Sequence, residues 1–210
     1  MFIDFGAGFY VEKHLRRYKS LSPSEYILGI DAISNIPEKF TEFNDIMKQY
    51  YIKDDTGYIK VKEPPFKYFD HYMTGFRMQD DIQLEKKADK WICISTLEHV
   101  LEGDVFSVLE GIIQKVEKNS VGQILIDLTD HRQYPANESN CFYHYQDPLY
   151  RSHWNPSYVR MFEQGNAGIF LNRIRKNQWF TILDTFFTYK IAPDDDNTRV
   201  SIFDVRVKNS

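Results

Sequence analysis

The run Asp4-Phe5-Gly6-Ala7-Gly8 and, later, Asp31 are the residues whose types and spacing first suggest chemistry. Two glycines one residue apart, after the apolar stretch Phe2-Ile3-Asp4-Phe5, end a buried strand where something must sit against its tip. They permit positive φ and leave no Cβ between backbone amides and a ligand. Residues 11–18 then open a helix whose N-terminus faces the same spot, which makes the turn a nucleotide-type cradle. Gly-x-Gly also closes many strands for steric reasons alone. A pyrophosphate cradle needs a third glycine three positions after the second, and Val11 stands there. A ligand without pyrophosphate fits better. The next strand, Tyr26-Ile27-Leu28-Gly29-Ile30-Asp31, ends in an acid placed to accept hydrogen bonds from two ribose hydroxyls.

Two further groups of reactive residues follow. Trp91-Ile92-Cys93-Ile94-Ser95 is a continuous apolar run, as in a strand covered on both faces, and it leads into Thr96-Leu97-Glu98-His99-Val100. His99 is read as a residue that holds this loop by hydrogen bonds, a reading open to Glu98 as well. Gly122 to Leu128 forms another apolar strand, followed by Thr129-Asp130-His131. Cys141, His144 and His153 lack a fourth partner at a recognised zinc spacing, so no metal is expected.

On these residues the chain resembles the class I methyltransferases that use S-adenosylmethionine (SAM), whose first motif is hydrophobic-(Asp/Glu)-hydrophobic-Gly-x-Gly and whose second strand ends in an acid. Ser-x-Leu-Glu-His-Val at residues 95–100 resembles another motif of that family. Ile-Asp-Leu-Thr-Asp-His at 126–131, with Asn172-Arg173 beyond, resembles a subgroup found among surface-glycan and natural-product biosynthesis genes. The resemblance implies SAM as cofactor, held by Asp4, Gly6, Ala7, Gly8, Asp31, Ala32, Asp81, Ile82, Ser95, Thr96 and Leu97. Asp81 would accept from the adenine amino group while Ile82 packs on the ring; a solvated acidic turn explains Asp80-Asp81 as well. It further implies His131 as general base, Asp130 orienting it, and Tyr134 and Arg173 on the acceptor. The family's segment ahead of the first strand has little counterpart here. The expectation is a more open cofactor site, or one covered on its N-terminal side by a partner chain or a second copy.

Those residues require an α/β scaffold, a Rossmann-like, mostly parallel sheet with helices on both faces and a C-terminal antiparallel hairpin. Residues 9–19 suit the first helix. Phe40, Phe43, Met47 and Tyr50 mark an amphipathic helix over 38–50. A hairpin is expected around Asp54-Asp55-Thr56-Gly57, inside an insertion at about 51–75, with the third strand at 76–78. A helix follows at 105–118. Asn177 suits an N-cap for a stripe of Trp179, Ile182, Leu183 and Phe186. Two strands, 187–191 and 199–207, are joined by so short a turn that they must be antiparallel. A second insertion, about 132–170, is dense in aromatics and holds a short helix between Asn155-Pro156 and Gly165. Its rings would form a lid over the acceptor or pack together to hold an irregular loop.

At 210 residues the chain suits one α/β domain, 1–210. A net charge of −4 and a pI near 5.9 give no broad basic face, so polymeric nucleic acid is not an expected partner. Two cysteines, one in an apolar strand, do not make a disulfide framework. No apolar stretch approaches the roughly 18 residues of a membrane span, and the N-terminus lacks a secretory pattern. A cytoplasmic protein with a small-molecule or sugar acceptor is expected. The other reading is a SAM-binding but catalytically degenerate scaffold.

Overall fold

The computed structural model describes residues 1–33, 36, 40–128, 172, 174–195 and 198–208. Along them run β1 (Phe2–Phe5), α1 (Val11–Tyr18), β2 (Ile27–Asp31), α2 (Thr41–Tyr50), β3 (Tyr51–Asp54), β4 (Gly57–Lys60) and β5 (His71–Thr74). They are followed by β6 (Ala88–Ile94), α3 (Val105–Lys115), β7 (Val116–Asp127), α4 (Lys176–Phe186), β8 (Phe187–Ile191) and β9 (Arg199–Val207). The nine strands form one sheet in the order β3-β4-β5-β2-β1-β6-β7-β9-β8. The five central strands, β5 to β7, are parallel, and both edges are antiparallel.

Period-2 alternation places the core on both faces. Ile3 and Phe5 of β1 join Leu28, Trp91, Cys93 and Ile124 beneath α3 and α4, while Phe2, Ile27 and Ile92 face α1 and α2. Much of the aromatic content is spent on the second face, where Tyr18, Phe43, Tyr68, Phe69 and Tyr72 are all essentially inaccessible. Phe69 and Tyr72 stack there with centroids 4.7 Å apart.

The third parallel strand is His71–Thr74, not 76–78. Leu28 to Asp31 pair with it residue by residue. Residue 75 is a glycine at φ +81 that ends the strand, so 76–78 turns away. The expected hairpin forms, with Asp54 opposite Gly57, and β4 pairs with β5, so it extends the sheet instead of standing apart. α3 stops at Lys115 and the chain enters β7 at once. The N-cap of α4 is Arg175, not Asn177, and its amide donates to Gln178 Oε1 at 2.8 Å. The aromatic insertion 132–170 and its expected helix lie outside the described residues.

Strand order reverses between β1 and β6: the chain moves outward from β1 through β2 to β5, then returns to the other side of β1. In open α/β sheets the crevice at such a switch point, beyond the carboxyl ends of the strands, is where ligands bind. Gly6 and Thr96 stand on either side of it.

Candidate functional site

The turn after β1 is fully bonded. Gly6 and Gly8 have φ of +68° and +70°, the left-handed region that side chains resist. The Gly6 and Ala7 amides donate to the Ile30 carbonyl at 2.8 and 3.2 Å, and the Gly8 amide donates to Asp31 Oδ2 at 2.7 Å. The three carbonyls are also held. Thr96 Oγ1 donates to Gly6 O at 3.2 Å, His14 Nε2 to Ala7 O at 2.6 Å, and the Tyr72 hydroxyl to Gly8 O at 2.8 Å. This corrects the picture of amides offered to a ligand. The three N–H groups in residues 6–8 each have a partner within the protein. A Cβ on Gly8 would meet nothing within 4 Å, so space lies open above it.

Asp31 closes the other side of the turn. It is 7% exposed; Oδ2 accepts from Gly8 and Oδ1 from the Ile33 amide at 2.8 Å. Burial pushes its pKa up to about 6, opposed by these two amides and aided by the charge of Asp4. A carboxylate has about four lone-pair sites, so two amides leave capacity for two hydroxyls. Ala32, the next residue, is exposed.

Asp4 lies beneath the site, not in it, a correction to its expected ligand contact. It has no exposed surface, accepts from the Tyr18 hydroxyl at 2.7 Å and pairs with Arg17 at 3.1 Å. It therefore ties α1 to β1. His14 shares that helix face and is also fully buried. A carbonyl only accepts, so Nε2 carries the proton toward Ala7, and neutral Nδ1 accepts from the Tyr68 hydroxyl at 2.9 Å. Burial lowers its pKa to about 4, outweighing the nearby Asp4 charge.

At the tip of β6, Ser95 takes a left-handed φ of 52°, a strain of about 1–3 kcal/mol that turns the chain sharply out of the strand. Thr96 fills the space beside Gly6. Leu97 has no exposed surface and belongs to the core, which corrects its assignment to the ligand. Residues 97–99 form a 3₁₀ turn. Asn172 clamps this turn: Nδ2 donates to the Leu97 and Val100 carbonyls at 2.7 and 3.0 Å, and its amide to Glu98 O at 2.7 Å. The Glu98 carboxyl is 2% exposed; burial pushes its pKa well above the ordinary value, opposed by the backbone amides of Glu98 and Asp127.

The loop carrying Asp81 and Ile82 is held from α3. Lys115 Nζ donates to the Met78 and Asp80 carbonyls, both at 2.8 Å, and burial lowers its pKa. Gly111, one turn earlier, lets the helix approach so closely that a Cβ would overlap the Met78 carbonyl. Asp81 is exposed and accepts from Gln83 at 3.1 Å; Ile82 is partly buried against the core. Among the described residues no group of three His, Cys, Asp or Glu side chains is placed to hold a metal.

Asp130, His131, Tyr134 and Arg173 lie outside the described residues. The structure thus brings Gly6, Ala7, Gly8, Asp31, Ser95 and Thr96 together at the switch point, while Asp81 and Ile82 stand on the neighbouring loop. Sequence reasoning missed His14, Tyr72 and Lys115. His14 had a visible signal: with Val11 and Tyr18 it lies on one face of α1, a polar ring in a buried stripe. The partners of Tyr72 and Lys115 are 64 and 37 residues away, beyond any local pattern.

No protein-family model matches the chain, and no curated protein matches it in sequence. Solved structures do. The carbon methyltransferase CurJ superposes with a TM-score of 0.54 at 15% identity, over 99% of this chain and 48% of that one. The mitomycin 7-O-methyltransferase MmcR gives 0.52 at 12%, over 99% and 48%. PH0226 protein from Pyrococcus horikoshii gives 0.53 at 12%, over 99% and 81%. The chain spans about half the length of the first two. What is shared at such identities is the fold: a class I methyltransferase-like α/β sheet, parallel at its centre with antiparallel C-terminal strands.

Proposed function

We propose that the protein is a SAM-dependent methyltransferase acting on a small-molecule or glycan-precursor acceptor. The observation that carries this reading is the pairing of Asp31 with a glycine turn whose amides are all used. Such a site suits a ribose that donates hydroxyls, and the three amides of the turn are not offered to a pyrophosphate, in keeping with a nucleoside sulfonium. The open space above Gly8 and the fold shared with CurJ and MmcR support the same ligand. MmcR, by name a mitomycin 7-O-methyltransferase, supports a small-molecule acceptor.

Asp31 would hold the ribose, Asp81 and Ile82 the adenine, and Ser95 and Thr96 the tip against which the rest of the ligand lies. Bound SAM supplies a methyl group activated on a sulfonium. The protein's part is alignment and, for a hydroxyl or amine acceptor, removal of a proton. His131 is proposed as that base, oriented by Asp130, with Tyr134 and Arg173 on the acceptor.

Calorimetry with S-adenosylhomocysteine (SAH) and with NAD tests the ligand class: SAH is expected to bind far more tightly, and NAD as the tighter ligand would end the reading. Transfer of labelled methyl from SAM to a panel of acceptors separates an enzyme from a SAM-binding scaffold.

A further inference from the structure

The three side-chain holds on the glycine turn are not equivalent. A peptide unit is planar and trans, so the carbonyl of one residue and the amide of the next move as one body and point in opposite directions. The Gly6 carbonyl, held by Thr96, shares its plane with the Ala7 amide, which donates to the Ile30 carbonyl. The Gly8 carbonyl, held by Tyr72, shares its plane with the amide of Phe9. Of the three, the Ala7 carbonyl alone shares its plane with an amide bonded to a carboxylate. His14 Nε2 lies 2.6 Å from that carbonyl, and the Gly8 nitrogen on the other side lies 2.7 Å from Asp31 Oδ2.

The bonds along this path all run in one sense. The Tyr68 hydroxyl donates to His14 Nδ1, Nε2–H donates to the Ala7 carbonyl, and the Gly8 N–H donates to Asp31. Bonds aligned in this way polarise one another and strengthen the last donor, by about 10–30% per bond. The ring has no exposed surface, and it is fixed by Tyr18, stacked at 5.9 Å, and by Phe69, edge-on at 4.9 Å.

The titratable groups around the ring are Asp4 on β1, Lys13, Arg17 and Tyr18 on α1, and Tyr68 ahead of β5. Those acting on Asp31 or acted on by it are Asp4 and Tyr72. Burial lowers the His14 pKa to about 4, so the ring stays neutral while Asp31 titrates near 6, and the bonds keep their direction through that range.

We propose that His14 is a positioning residue for the ligand-binding acid: through the Ala7–Gly8 peptide it aims the amide that bonds Asp31 Oδ2, and so supports the charged form of that carboxylate for a ribose to donate to. That Asp31 meets a ribose rests on the proposed function; its tie to His14 does not.

Asp31 is titrated in the ligand-free protein by carboxyl carbon-13 NMR, with Asp31→Asn to assign the signal. His14→Leu is expected to raise its midpoint by about one pH unit, because the charge loses an aimed donor. His14→Gln, whose side-chain amide can donate to the Ala7 carbonyl, should return the midpoint toward the wild-type value. Tyr68→Phe removes only the first bond and should raise it less. Thr96→Val frees a carbonyl on a different peptide and should leave the midpoint within about 0.3 unit. An unmoved midpoint in His14→Leu, or equal rises in His14→Leu and Thr96→Val, overturns the inference. In the wild type the His14 Nε2–H resonance should shift with the Asp31 midpoint near pH 6, above the ring's own titration. A resonance flat across that range overturns the inference whether or not any variant folds. With SAH, the pH below which affinity falls should rise in His14→Leu by the same amount as the midpoint. If the wild type binds no SAH, the proposed function fails while the titration still decides the role of His14; if SAH binds and the midpoint does not move, only this inference fails.

Discussion

The side chain of Thr96 occupies the space that a Cβ on Gly6 would need, while the same threonine's hydroxyl holds the Gly6 carbonyl at 3.2 Å. The tips of β1 and β6 are thus locked into one surface. Gly8, two residues on, has a similar positive φ and nothing near it.

The two glycines therefore respond differently to alanine. Gly8→Ala meets only the backbone penalty, about 1–2 kcal/mol. Gly6→Ala meets that penalty and must also displace Thr96, so its loss of stability in urea denaturation should be clearly larger. Equal losses at the two positions would show that the Thr96 contact yields freely.

His14→Leu keeps the volume and removes both hydrogen bonds of the ring. The Ala7 carbonyl and the Tyr68 hydroxyl are left buried and unpaired, a loss of about 1–3 kcal/mol each at neutral pH. SAH binding should weaken too, since Ala7 belongs to the turn. The pH dependence has a definite sign. A folded pKa near 4, below the ordinary histidine value of 6.5, means the unfolded chain binds the proton more readily. The wild type is then destabilised as pH falls from about 6.5 toward 4, by an amount on the order of 3 kcal/mol when complete. The deficit of His14→Leu should shrink in that window. A deficit independent of pH would contradict a buried neutral imidazole.

Asp31 acts in the opposite direction. Its folded pKa of about 6 lies above the ordinary 3.8, so the ionised group destabilises the empty protein above about pH 6, and that penalty fades toward pH 4. Ligand affinity should show the reverse: SAH binds more weakly as pH drops below about 6, because a protonated carboxyl is a poorer acceptor for ribose hydroxyls. Asp31→Ala should reduce SAH affinity by roughly ten- to a thousandfold and flatten this part of the profile. Unchanged affinity in a folded variant would leave Asp31 as no more than the end of a strand.

Lys115→Met retains the aliphatic stem but leaves the Met78 and Asp80 carbonyls without their donor. Stability should fall by about 1–3 kcal/mol, and hydrogen exchange of amides in the 78–82 loop should speed up. If the adenine lies against Asp81 and Ile82, SAH should weaken more than SAH lacking its purine, S-ribosylhomocysteine. An equal effect on both would detach this loop from the adenine.

Much of the scaffold was legible because its signals are local. Continuous apolar runs ending in Gly-x-Gly, in an acid or in Ser95-Thr96 mark parallel strands buried on both faces. The hairpin at Asp54 to Gly57 and the antiparallel pair β8–β9 follow from turn length. The strand at 71–74 was missed because Tyr72 and His71 do not form an apolar run. Its identity as a core strand comes from pairing with Leu28 to Asp31, a contact across more than forty residues.

For the site, residue types and spacing marked the strand ends, Gly6 to Gly8 and Asp31, at which the proposed ligand would meet the sheet, since a missing third glycine and a terminal acid are one-dimensional facts. Only the tertiary structure decided what each of those residues does. It turned Asp4 and Leu97 inward, gave every amide of residues 6–8 a partner, placed His14 and Tyr72 beneath them, and buried Glu98. Hydrogen-bond saturation and burial depend on which distant segments share one point in space, and no local pattern encodes that.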